Sequence, residues 1–329
     1  MRPQATGLRP QGWARHVGRA SHTITPVRQT GLRTTAEVLA GAREARAYSP
    51  DMMSAHLPGD RAISRRTLLQ WAGSLGMAAA LPWQARLDAQ QRFRFIVVND
   101  LHHGSSECDP FFASLVRQMG SHGQLDFCII AGDLADTGKP ESFVAVRDAF
   151  SRLAVPIYTV PGNHDCDVEK NTNLYSQAFP DRLNYTFNHK DWQFVALDST
   201  DGNRSQGTRI SDVTLGWLDR TVPTLDRQRP TILFTHFPLA ADVTMASGNA
   251  GEVLTKLEGL NLRGQFNGHY HARIERKHGE VPLLTNACCS RVRDNHDGSL
   301  EEGYLLCTAS ADGRLTWEFV EFLAARKKA

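Results

Sequence analysis

From residue 93 onward, short apolar runs alternate with amphipathic stretches, and this alternation limits the fold more than any other feature of the chain. The runs 93–100, 126–131 and 155–160 are short and rich in β-branched and aromatic residues, as buried strands are. Between them, 109–119 and 141–153 carry apolar residues at helical spacing. Strand, helix, strand, helix, strand predicts βαβ units and a largely parallel sheet.

The rest of the chain predicts a mixture of hairpins, further strands and helices. Two runs that flank a polar turn, 183–187 and 192–197, predict a β-hairpin. Further strands are predicted at 231–235, 264–267, 281–285, 304–309 and 315–322, and helices at 213–225 and near 250–259. There is no internal repeat and no linker, so we expect a single domain over residues 90–329.

Polar side chains follow five of these strands, at the point where each apolar run ends. The five clusters are Asp100-Leu101-His102, Gly132-Asp133-Leu134-Ala135-Asp136, Gly162-Asn163-His164-Asp165, His236 and His269-Tyr270-His271. Sites in α/β sheets form at the carboxyl ends of strands, so we expect these clusters to converge. Converging carboxylates need compensating positive charge, and mixed imidazole and carboxylate donors suit zinc, manganese or iron. Two such ions could share a carboxylate and bind a phosphoryl oxygen between them.

The ordered set Asp-x-His, Gly-Asp-x-x-Asp, Gly-Asn-His-Asp, a lone His and Gly-His-x-His resembles the five motifs of the calcineurin-like metallophosphoesterases. The motifs span residues 100–271, which is most of the predicted domain. Each motif alone is weak, and the specificity lies in their order and in their position after strands. The resemblance implies an α/β fold, a four-layer α-β-β-α sandwich of two mixed sheets.

The resemblance also implies a role for each matched residue. Metal site one would be held by Asp100, His102, Asp133 and His271, and metal site two by Asp133, Asn163, His236 and His269. A hydroxide between the two ions, which would be manganese, iron or zinc, would be the nucleophile. His164 would act as general acid or transition-state hydrogen-bond donor. Asp136 would hydrogen-bond His164 and raise its protonated share.

Several residues beside these motifs leave alternatives open. His103 adjoins His102, so a shift of the ligand by one residue is conceivable, although the Asp-x-His spacing favours His102. Asp165 is expected to cap a helix or orient its loop rather than bind metal. Cys166 is expected to be a buried thiol. The six cysteines contain no Cys-x-x-Cys pair, and a single disulfide would be possible in an exported chain.

The motif variants and the charge of the domain narrow the substrate class. His102 argues against the purple acid phosphatase branch, and Asp136-Thr137-Gly138 with Asp165 argues against the protein Ser/Thr phosphatases. Residues 90–329 hold 25 Lys and Arg against 30 Asp and Glu, a formal charge of −5, which argues against nucleic acid as partner. We expect a small phosphoester substrate, diester or monoester, with most resemblance to cyclic-nucleotide phosphodiesterases. The alternatives are an exonuclease-like phosphodiesterase and a metal-binding protein without turnover.

The amino-terminal part of the chain carries a predicted export signal. Residues 1–60 lack periodicity, and they are predicted to be disordered or to precede a true start at Met52 or Met53. Residues 61–89 resemble a twin-arginine signal peptide, with Arg65-Arg66 before an uncharged stretch that ends near Ala85. That stretch is too weakly apolar to predict a membrane span, and no stable span is expected after signal cleavage. We therefore expect the twin-arginine export machinery as a partner and a periplasmic or extracellular protein, membrane-anchored if the signal is retained.

Overall fold

The structure, a computed structural model, describes residues 92–322. The predicted disorder and export signal lie outside the described residues and stay predictions. The strands are β1 (Phe93–Val98), β2 (Phe127–Ala131), β3 (Ile157–Val160), β4 (Tyr185–His189), β5 (Trp192–Ala196), β6 (Thr231–Phe234), β7 (Leu262–Asn267), β8 (Ile274–His278), β9 (Val281–Thr285), β10 (Gly303–Ala309) and β11 (Leu315–Glu321). The α-helices are α1 (Asp109–Gly120), α2 (Pro140–Phe150), α3 (Asn173–Ala178), α4 (Asp212–Thr221) and α5 (Ala250–Lys256).

The strands form two mixed sheets. Sheet one has the order β11-β10-β1-β2-β3, with β1, β2 and β3 parallel and the other two pairings antiparallel. Sheet two has the order β4-β5-β6-β7-β9-β8, with β5, β6, β7 and β9 parallel and antiparallel strands at both edges. The βαβ prediction for the first three strands is confirmed.

Three buried apolar layers hold the sheets and helices together. The odd-numbered residues of β1, such as Phe95, face β5 and β6 in a layer between the sheets that is rich in stacked and edge-on aromatic rings. Ile96 and Val98 of the same strand pack on α1 and α2. On the far side, Val195 and Leu233 of sheet two pack on α4 and α5. Alternate residues of a strand point to opposite faces, so the predicted four-layer α-β-β-α sandwich follows and is confirmed.

Two elements escaped the sequence patterns. Strand β8 has the sequence Ile-Glu-Arg-Lys-His, four of whose five residues are exposed, and it pairs with β9 at the sheet edge. Helix α3 is only six residues long and has no side-chain cap at its first turn. Charged residues are typical of protected edge strands, so little apolar periodicity marks β8. Among residues 92–322, no helix is long and apolar enough to span a membrane.

Candidate metal centre

The structure brings together all seven residues that the motifs nominate as metal ligands. They lie in the loops that follow five parallel strands, three from sheet one and two from sheet two. These are Asp100 and His102 after β1, Asp133 after β2, Asn163 after β3, His236 after β6, and His269 and His271 after β7. All seven are at most 4% exposed. Polar groups buried at this density need partners, which a cation would supply.

Five of the seven have left-handed backbone conformations. The φ angles are 52° for Asp100, 47° for His102, 52° for Asp133, 69° for His269 and 45° for His271. This region costs a non-glycine residue about 1–3 kcal/mol and persists only where the surroundings enforce it. Here main-chain hydrogen bonds between the loops enforce it, including those from Asp100 N to the Gly132 carbonyl and from His102 N to the Asp133 carbonyl, both 3.0 Å.

The first donor set is built on Asp100. Its Oδ1 lies 3.1 Å from His271 Nε2. The Nε2 atoms of His271 and His102 lie 3.2 Å apart, and His102 Nε2 is 3.6 Å from Asp133 Oδ2. Asp100, His102, Asp133 and His271 therefore each present a donor atom within 4.8 Å of the others.

The second donor set shares Asp133. Its Oδ2 lies 3.3 Å from His236 Nε2, and His236 Nε2 lies 3.2 Å from His269 Nδ1. Asn163 Oδ1 is buried and has no hydrogen-bond partner among residues 92–322. A buried oxygen without a donor is costly unless a cation takes the donor's place, so this atom fits metal ligation.

The four imidazoles are oriented by oxygen atoms outside the donor sets. His236 Nδ1 donates to the Ala131 carbonyl at 3.0 Å, His269 Nε2 to the Ser205 carbonyl at 2.8 Å, and His271 Nδ1 to the Asp294 carbonyl at 3.0 Å. His102 Nδ1 lies 3.4 Å from Asp136 Oδ1. In each ring one nitrogen faces outward to an oxygen and the other faces the donor set. This is the outer-shell arrangement that fixes the tautomer of metal-ligating histidines.

The electrostatics of the site pair each acid with an imidazolium. Burial lowers the pKa of His271, but the Asp100 charge and hydrogen bond outweigh it and raise the pKa to about 11. Burial likewise opposes the Asp133 charge at His236, whose pKa rises to about 9. Burial raises the pKa of Asp100, yet His271 holds it below its ordinary value, and His236 does the same for Asp133.

His164 and Asp136 lie beside the first donor set. The expected hydrogen bond between them is present, but the main chain of Asp136 makes it. His164 N donates to Asp133 Oδ1, and His164 Nδ1 donates to the main-chain carbonyl of Asp136, each at 2.8 Å. The hydrogen bond to Asp136 thus uses its main chain. Its carboxylate instead faces Arg293, at 2.7 Å, and His102. These contacts lower the pKa of Asp136 to about 2, with the hydrogen bond to His102 the largest cause.

The neighbouring residues take structural positions. His103 Nε2 lies 3.0 Å from Asp109 Oδ1, and its ring stacks on Phe112, so His102 alone of the two enters the donor set. Asp165 accepts hydrogen bonds from the amides of Leu134, Ala135 and Gly162, so it braces the loops and does not enter the donor sets. All six cysteines, which lie within the described residues, are buried and unpaired.

A cavity of about 440 Å³ opens over the donor sets, and sequence reasoning missed half of its wall. Besides the motif residues it is lined by Ser205, Met245, Val292, Arg293, Asp294, Asn295 and His296. These residues belong to loops that carry no motif. The last five of them lie in a polar stretch after β9, which a single sequence does not separate from a surface loop.

The chain is similar in sequence to a known protein family and to phosphodiesterases, and similar in fold to a solved phosphatase structure. A family model described as calcineurin-like phosphoesterase matches residues 93–273. A 3′,5′-cyclic-nucleotide phosphodiesterase of Nostoc sp. is 31% identical over 186 residues, which are 55% of this chain and 69% of that protein. A glycerophosphodiester phosphodiesterase of Enterobacter lignolyticus is 27% identical over 185 residues, 53% of this chain and 66% of that protein. A purple acid phosphatase from yellow lupin seeds shares the fold at 13% identity, with a TM-score of 0.50 over 70% of this chain and 51% of that one.

Proposed function

Because the chain belongs to the calcineurin-like phosphoesterase family and is a metallophosphoesterase, we propose that it hydrolyses small phosphodiesters with two metal ions. The observation that carries the proposal is the pair of buried donor sets that share Asp133. Two sets with one common carboxylate match a dinuclear site better than a single ion.

In this proposal the seven residues divide between two ions. Asp100, His102, Asp133 and His271 would hold the first ion, and Asp133, Asn163, His236 and His269 the second. When bound, the ions supply a water nucleophile of lowered pKa and polarise the phosphoryl oxygens. The mixed nitrogen and oxygen donors suit manganese, iron or zinc. The carbonyls of Ala131, Ser205 and Asp294 keep the imidazoles oriented while metal binds or leaves.

His164 is the residue placed to handle a proton on the substrate. It lines the cavity and sits edge-on to His102, with ring centroids 4.7 Å apart. Because its Nδ1–H is bound to the Asp136 carbonyl, Nε2 is the atom that can hold a proton and deliver it to a leaving oxygen. The main-chain bond fixes the ring's orientation, so Asp136 acts through its carbonyl.

Small diesters are favoured as substrates by the sequence relatives, whose names specify cyclic nucleotides and glycerophosphodiesters. The acidic domain gives no support to a nucleic-acid substrate. Both named classes are phosphodiesters, in which two non-bridging oxygens share one negative charge.

The test compares hydrolysis of bis-p-nitrophenyl phosphate with that of p-nitrophenyl phosphate by protein loaded with manganese. We expect turnover of both, with a higher kcat/KM for the diester, and two metal ions per chain. Asp133→Asn is the matched variant, and it should lose both ions and nearly all turnover. Metal-loaded protein that hydrolyses neither compound would favour a metal-binding role without catalysis, and preference for the monoester would overturn the diester assignment.

Export is a separate proposal that depends on residues 61–89. Replacing Arg65 and Arg66 by lysine should retain the protein in the cytoplasm of a bacterial expression host, because the Arg pair is the recognised part of a twin-arginine signal. Unchanged export of the double-lysine variant in cell fractionation would contradict it.

A further inference from the structure

The wall segment, residues 290–296, follows β9 and lies beyond residue 273, where the family match ends. It nevertheless lines the cavity that contains Asp133 and His164. Its contribution to the site therefore comes from outside the matched family region, and its chemistry bears on which phosphoester is accepted.

Hydrogen bonds hold the wall segment in one conformation. Ser290 is fully buried, and its Oγ accepts from the amides of Val292 and Arg293, both at 3.2 Å. Asn295 Oδ1 accepts from Cys288 N at 3.0 Å, and Asn295 Nδ2 donates to the Glu301 carbonyl at 2.6 Å. A loop anchored at both ends by buried side chains can present a binding group at a fixed position.

Arg293 is the group that the wall segment presents. Its Nε and Nη2 lie 2.8 and 2.7 Å from the same oxygen, Asp136 Oδ1. The main-chain carbonyl of Asp136 accepts from His164 Nδ1, so Asp136 contacts both the guanidinium and the residue that would protonate the leaving group. The Arg293 side chain is still 42% exposed in the cavity.

Charge singles out Arg293 among its neighbours. It is the only Lys or Arg among the described residues that line the cavity. A planar guanidinium matches phosphoryl oxygens in shape and charge. Val292, 44% exposed, and Met245 add apolar surface to the same cavity.

We propose that Arg293 binds a non-bridging oxygen of the phosphodiester and that Val292 and Met245 contact an organic ester substituent. This inference rests on the proposed function, because it identifies the substrate-binding residue of the same site. It assigns substrate recognition to a side chain outside the metal ligands and outside the matched family region.

The test compares Arg293→Met with Arg291→Met in manganese-loaded protein. Arg291 lies in the same segment with a similar 40% exposure, but its Nε donates to the Glu107 carbonyl and it does not line the cavity. The readouts are calorimetric binding of inorganic phosphate and KM for bis-p-nitrophenyl phosphate. We expect Arg293→Met to weaken both by about 10- to 100-fold, the range for a hydrogen bond to a charged group. Arg291→Met should stay within about twofold of the parent, and Arg293→Lys should recover part of the loss.

A merely structural role, in which Arg293 only holds Asp136 in place, predicts a different pattern. In that case Arg293→Met would have no further effect on phosphate binding in an Asp136→Asn background, and this result would overturn the proposal. Metal content and melting temperature of Arg293→Met should match the parent. If the parent protein hydrolyses no phosphoester, the proposed function fails, while the phosphate titrations still decide the role of Arg293. Equal phosphate affinity of the parent and Arg293→Met would refute the proposal that Arg293 binds the phosphodiester.

Discussion

Gly162→Ala tests whether the strand-end glycines shape the metal centre. Gly162 has a φ of −109°, which any residue adopts, so space and not conformational freedom requires glycine here. A Cβ at this position would lie 2.5 Å from the main-chain nitrogen of Asp133 and closer still to its Oδ1. An ordinary contact begins at 3.4 Å, so Asp133 or the loop after β3 must move by roughly 0.9 Å or more.

That displacement falls on the carboxylate that both donor sets share. Misplacement of a catalytic group by about 1 Å costs about 10²-fold in rate, and disturbed ligand orientation costs about 10- to 100-fold in metal affinity. We therefore expect kcat/KM for bis-p-nitrophenyl phosphate to fall about 100-fold and manganese affinity to fall at least 10-fold. Overpacking should lower the free energy of unfolding by about 1–3 kcal/mol.

Gly104→Ala is the matched control near the same site. Its added methyl would lie 3.9 Å from Asp136 Cβ, an ordinary contact, so metal affinity and turnover should stay within about twofold of the parent. The assays are metal titration by calorimetry, steady-state hydrolysis and denaturant unfolding. If Gly162→Ala binds two ions with the parent's affinity and keeps its kcat/KM, the packing argument for this glycine is wrong.

Three further predictions follow from the site and the helices. His164→Ala should keep its metal, since the contact to Asp133 uses the main-chain amide, but should lose about 10²- to 10⁴-fold in kcat; a metal-free variant on elemental analysis would contradict the role assigned to this ring. Metal binding at pH 7 should release close to two protons, because His236 and His271, with pKa values raised to about 9 and about 11, are protonated before they bind metal. Metal affinity should therefore rise with pH. Calorimetry in buffers of different ionisation enthalpy measures the number of protons released. Gly251→Ala on α5, where an added Cβ meets nothing within 4 Å, should raise the free energy of unfolding by about 0.4–1 kcal/mol, and an unchanged denaturation midpoint would refute that expectation.

The sequence by itself determined the order of the first strands and helices and the residues that follow them. Apolar runs such as 93–100 and 126–131 bury both faces of a strand, and this requirement is written in local composition. The polar residues at their ends, such as Asp100 and Asp133, were visible because the change from apolar to polar sequence is also local. The charged edge strand β8 was missed for the converse reason, since it buries too little to leave a pattern.

The tertiary structure decided which groups meet. The His102 side chain points into the donor set and the His103 side chain points toward Asp109. Spacing alone had left open which of these adjacent residues would be the ligand. The tertiary structure also paired Asp136 with Arg293, 157 residues away in the chain, and left the carbonyl of Asp136 to orient His164. Local sequence fixes what a segment must bury, but contacts between distant segments depend on the path of the whole chain. That path brings the wall segment over the metal centre.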